Sequence, residues 1–140
     1  MKIGRYDIDS LPPFHVLCGK TLTEIHGMVV GSGAVVFTCS DGHVFTLSHE
    51  PNCCESVDLL DITGDVADLI GAPILLADEV NNADHPPPRE GFVDSNTWTF
   101  YRLATNKGYV TMRWFGESNG FYSETAVFRM VEAPDPKEEE

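Results

Sequence analysis

Aromatic residues alternate with arginine in two stretches of the last third of the chain, Thr97-Trp-Thr-Phe-Tyr-Arg-Leu-Ala-Thr105 and Tyr109-Val-Thr-Met-Arg-Trp-Phe115. On extended backbone, successive side chains point to opposite faces. With Asn106-Lys107 as a two-residue turn, Trp98 faces Phe115, Phe100 faces Arg113, Arg102 faces Thr111 and Ala104 faces Tyr109. The opposite side holds Thr99, Tyr101, Leu103, Val110, Met112 and Trp114 and reads as core. The first side is amphipathic, and arginine stacked on aromatic rings is a platform for a ring or a phosphate-bearing ligand. Glu117 and Asn119, in the turn that follows, are candidates to present polar groups to that ligand. The competing expectation is that the acidic half of the chain covers this face and its carboxylates pair with Arg102 and Arg113.

That acidic half is pronounced. No Lys or Arg occurs from Thr21 through Pro88, while eleven carboxylates do. Glu55, Asp58, Asp61, Asp65 and Asp68 form its densest run and are the candidate partner-binding residues. They lack the alternating pattern of an EF-hand loop. With 9 Lys+Arg against 22 Asp+Glu, the formal charge is −13. A field of that sign repels nucleic acid, whose phosphates supply most nonspecific affinity, and steers a basic protein inward. Residues 95–131 reverse the trend with Arg102, Lys107, Arg113 and Arg129 against Glu117 and Glu124.

His49, Cys53 and Cys54, beside Glu50 and Glu55, are residue types that bind zinc. The set is incomplete, because no C-x2-C pair accompanies it and His43 lies six residues from His49 on the same strand. No resident metal or other cofactor is therefore expected. A nucleophilic cysteine is also disfavoured there, since surrounding carboxylates raise a thiol pKa. Cys18 and Cys39 lie in apolar stretches and read as small buried side chains. No catalytic constellation emerges, and the expectation is a protein that is not an enzyme.

A chain of 140 residues with 42% hydrophobic residues makes one domain and excludes a disordered one. Residues 1–14 read as an irregular lead-in with order beginning near Val16, 15–131 as a single globular domain and 132–140 as a disordered acidic tail. LTEIHGMVV, AVVFTCS and HVFTLSH read as strands, the last two joined by a type I′ turn at Asp41-Gly42. SVDLLDI is a further strand. DVADLIG is a short helix over 65–71, with Asp65 as N-cap and Gly71 as terminator. PILLADEV is again a strand, and residues 81–97, with three consecutive prolines, form a long exposed loop. Two hairpins follow, turning at Asn106-Lys107-Gly108 and at Gly116 to Gly120. The fold class is α+β, mainly antiparallel β, with six to eight strands. No apolar run reaches the length of a membrane span and no export leader is visible, which implies a cytoplasmic protein with reduced thiols.

The segments HEPNCCESV, DITGDVADLIGAPILLADE and TWTFYRLATNKGYVTMRWFGESNGFYSE resemble a small uncharacterised domain family of bacteriophage and bacterial genomes, over residues 17–128. The resemblance implies a phage or mobile-element setting and no particular reaction. The expected function is a non-enzymatic accessory protein that binds and inhibits a host protein through its acidic surface, as a nucleic-acid mimic or anti-defence factor. A nucleotide-sequestering binder using the arginine-aromatic face and a zinc-stabilised module are the alternatives.

Overall fold

The computed structural model describes residues 11–49, 56–82, 95–118 and 125–133. Among these residues eight strands form two antiparallel sheets: β1 Leu22–His26, β2 Ala34–Cys39, β3 Val44–Ser48, β4 Ser56–Thr63, β5 Leu76–Asn82, β6 Ser95–Thr105, β7 Gly108–Ser118 and β8 Val127–Glu132. The first sheet has the order β1-β2-β3-β8 and the second β4-β7-β6-β5. Among the described residues there is no α-helix, and no helix long and apolar enough to cross a membrane.

Period-two alternation of apolar residues supplies one core shared by both sheets. Val35, Phe37, Phe45, Leu47, Phe128 and Met130 come from the first sheet, and Leu59, Tyr101, Leu103, Val110, Met112 and Trp114 from the second. Phe14 joins them, its ring lying 5.0 Å from those of Tyr101 and Phe128 and 6.3 Å from Phe37. It belongs to a 3-10 turn, Phe14–Leu17, so the core takes in Phe14, two residues ahead of Val16.

Several local expectations are corrected. The helix over 65–71 is a single 3-10 turn, Val66–Leu69, capped by Asp65 as expected. It stops because Ile70 bridges to Leu22 and the Gly71 N–H donates to the Leu22 carbonyl. The β2–β3 loop has three residues, Ser40 to Gly42, because Cys39 N–H bonds to the His43 carbonyl and Gly42 takes a positive φ of 95°. That is a type I turn closed by a left-handed glycine, which accepts Asp-Gly as readily as type I′ does. Met28, Val29 and Val30 lie beyond β1, in the connection to β2. The expected loop 81–97 is strand at both ends, Asn82 closing β5 and Ser95 opening β6, and residues 83–94 lie outside the described ones. Finally, Gly116 lies within β7 and does not begin a hairpin turn. β8 pairs with β3 in the other sheet because β7 already has β4 on one side and β6 on the other.

Candidate functional site

β6 and β7 pair in the register expected from the sequence: Trp98 opposite Phe115, Phe100 opposite Arg113, Arg102 opposite Thr111, Ala104 opposite Tyr109. Their other faces are buried, so Trp98, Phe100, Arg102, Tyr109, Arg113 and Phe115 share the outward face of the second sheet. Trp98 and Phe115 are themselves buried, with ring centroids 4.8 Å apart. The Arg113 guanidinium lies 4.8 Å from the Trp98 ring centroid, a cation–π contact. Phe100 is half-buried beside them, and Tyr109 stands 64% exposed at the hairpin end.

The flanking strands supply carboxylates. Arg102 donates to both oxygens of Asp78 on β5, at 2.8 and 2.5 Å, a bidentate bond that raises the guanidinium pKa further above its ordinary value. Arg113 lies 3.7 Å from Asp61, its register partner on β4. Both arginines are thus paired, as the competing expectation held; Arg102, Arg113 and Tyr109 stay exposed, while Trp98 and Phe115 are covered. Leu76 and Val80 of β5, 40% and 45% exposed, extend the face on the side away from β4.

The remaining candidates are distributed differently. Asp58 lies opposite Phe115 and accepts a hydrogen bond from Ser56 Oγ at 3.1 Å. Asp65 is occupied as the cap, accepting from the Ala67 N–H at 3.0 Å. Asp68 packs against Gly108 at the β6–β7 turn, where a Cβ on that glycine would meet its carboxylate. Glu117 sits half-buried on β7 between Ser56 and Asn96. Glu55, Asn119, Cys53 and Cys54 lie outside the described residues, and among those described no three His, Cys, Asp or Glu side chains converge on a metal position. Cys18 is exposed and so is not the buried side chain expected; Cys39 is buried. Burial, and then Asp41, pushes the Cys39 thiol up to about 12, the opposite of what a nucleophile needs.

One polar cluster escaped the sequence reading. Lys20 Nζ lies 2.7 Å from Asp41 Oδ2 and 3.4 Å from His43 Nδ1, and His43 Nδ1 lies 2.9 Å from Asp41 Oδ1. The His43 ring stacks on Phe45 at 5.9 Å. Asp41 reads in sequence as a turn residue only, and the available signal is Lys20, the last cation before the long acidic stretch. Burial opposes ionisation of Asp41, but the bonds from Lys20 and from the His43 backbone and ring outweigh it and lower its pKa to about 2.

No curated protein and no solved structure matches the chain. A family model does match, over residues 15–128, and the chain therefore belongs to DUF7448, a domain of unknown function.

Proposed function

We propose that this chain is a non-enzymatic binding module that captures a positively charged protein on the outward face of its second sheet. The observation that carries the reading is exposed Tyr109 with Arg102 and Arg113 on one face, over half-buried Phe100 and buried Trp98 and Phe115, bordered by Asp61 and Asp78. Tyr, Trp and Arg dominate the energetics of protein interfaces. The net charge of −13 supports the same partner by steering it from a distance.

A nucleotide is a poorer fit, because its phosphate must displace Asp78 from a bidentate bond to Arg102. A nucleic-acid mimic needs carboxylates that are free. Here Asp61 and Asp78 hold arginines and Asp65 holds a backbone N–H. The narrower form of the proposal, a host protein bound and inhibited in the cytoplasm, draws support from the acidic charge and from Cys18 and Cys39 being free thiols.

Affinity capture from a host lysate across a salt series, with wild type, Tyr109→Ala and Arg113→Glu side by side, tests the reading. The expected result is one protein retained by wild type, released as salt rises, and reduced about tenfold or more by either variant. Equal capture by all three chains would remove this face as the site.

A further inference from the structure

The outward face of the second sheet has relief. Its side chains stand in cross-strand rows: Leu76, Ala104 and Tyr109; then Asp78, Arg102 and Thr111; then Val80, Phe100 and Arg113. The flanks of these rows rise into solvent, since Leu76 and Val80 of β5 and Tyr109 and Arg113 of β7 are exposed. Along the middle strand, Ala104 offers only a methyl group and Phe100 is half-buried. Arg102, between them, has its guanidinium drawn sideways onto Asp78 of β5. The face is therefore lowest along β6. Neither edge of this sheet is an open approach: the β1–β2 connection bonds to Leu59 of β4, and the Phe14–Lys20 segment lies beside β5, with Gly19 and Lys20 bonded to Ile74.

We infer that the partner docks as a basic amphipathic helix laid along β6, its apolar side on Ala104 and Phe100. This rests on the reading that this face captures a positively charged protein, and it names the segment that enters. The width fits: a helix with its side chains is about 10–12 Å across, and Leu76 and Tyr109 stand two strand spacings apart, roughly 9.5 Å. The helix axis then lies over Ala104, with Leu76 and Val80 along one side and Tyr109 along the other. From Phe100 to Ala104 the strand rises roughly 14 Å, the length of about nine helical residues. Apolar side chains at i, i+3 or i+4, and i+7 cover that floor. Two features select a basic helix: the chain's charge of −13 steers it inward, and the exposed Tyr109 ring takes a Lys or Arg over its face. A second copy is not the occupant, because two chains of −13 repel and the described residues hold no α-helix to supply.

The probe is an acetylated, amidated Leu-Lys-Lys-Leu-Leu-Lys-Leu-Leu-Lys-Lys-Leu-Leu-Lys-Leu peptide titrated into the labelled full chain, followed by amide NMR and by circular dichroism. The expected result is saturable shifts centred on residues 76–80, 100–104 and 109–113, with a gain of helical dichroism as the peptide binds. The same peptide with its two central leucines replaced by proline keeps the charge, cannot form the helix and binds at least tenfold more weakly. Ala104→Trp fills the floor and weakens binding tenfold or more, while Ala104→Ser leaves it unchanged. Ala104 lies on the outward face of a strand, where an aromatic residue suits the backbone, so the tryptophan variant keeps its urea midpoint. Equal binding of the proline peptide overturns the helix, undiminished binding to Ala104→Trp overturns its place on β6, and a silent titration overturns both. In each case the lysate capture with Tyr109→Ala decides separately whether the outward face is a binding site.

Discussion

Asp41 shows how one carboxylate can hold a turn, a lysine and a histidine together. Its Oδ1 accepts the His43 backbone N–H at 3.0 Å while its Oδ2 meets Lys20. The Asp41 pKa of about 2 lies below the usual carboxylate value of 3.8, so the native state binds that proton less readily than the unfolded chain. Its stabilisation is therefore complete above pH about 4 and is lost as pH falls through about 2. Asp41→Asn keeps an oxygen for the His43 N–H and removes the charge. Because Asp41 is 43% exposed, solvent screening holds the expected loss to about 1 kcal/mol near neutral pH. Urea unfolding of both proteins over a pH series checks this: the gap should narrow steadily below pH 4, and a gap unchanged down to pH 2.5 would refute the assignment. At this scale the sequence was legible where chemistry and spacing coincide. The facing of Phe100 with Arg113 followed from alternation and one turn. The Lys20–Asp41 pair did not, because their closeness depends on where β1 lies relative to the β2–β3 loop.

Glycines at element ends set where strands stop. Gly64, just past β4, has φ 104°, and a Cβ there would collide with the Tyr109 carbonyl and the Val110 backbone of β7. Gly31 has a similar φ of 93° but open space around it. Gly31→Ala should therefore lose only the conformational preference, about 1 kcal/mol. Gly64→Ala adds a clash with backbone that cannot move without breaking the sheet, and should lose at least about 2 kcal/mol. Denaturant midpoints of the two variants measure the difference, and equal losses would show that β7 yields. Elements with local specification were readable in the sequence. The β6–β7 hairpin is one, fixed by a two-residue turn and long alternating runs. Elements decided by distant pairing were not. The helix pattern from Asp65 to Gly71 yields one turn because Leu22 captures Ile70 and Gly71. β8 pairs with β3 because both sides of β7 are taken.

Across the whole molecule, the charge asymmetry of the sequence folds into local compensation. The arginines of the central hairpin pair with Asp61 and Asp78 of the strands on either side, and Lys20 with Asp41. What unites the two sheets is apolar, and Phe14 is at its centre. From outside either sheet, it packs on Phe37 and Phe128 of the first and Tyr101 of the second. A ring so placed links the two layers, so removing it should weaken both together and separate neither. Phe14→Ala is expected to lose about 3–5 kcal/mol, the range for truncating a buried phenylalanine. Its unfolding should remain a single transition, since each sheet uses the other as its inner wall. Tryptophan fluorescence reports the second sheet, where Trp98 and Trp114 lie, and far-ultraviolet circular dichroism reports both. Coincident midpoints at lower denaturant meet the expectation. A fluorescence midpoint that stays near the wild-type value while the dichroism midpoint falls would mean that the second sheet stands without the first, and that Phe14 belongs to the first sheet alone.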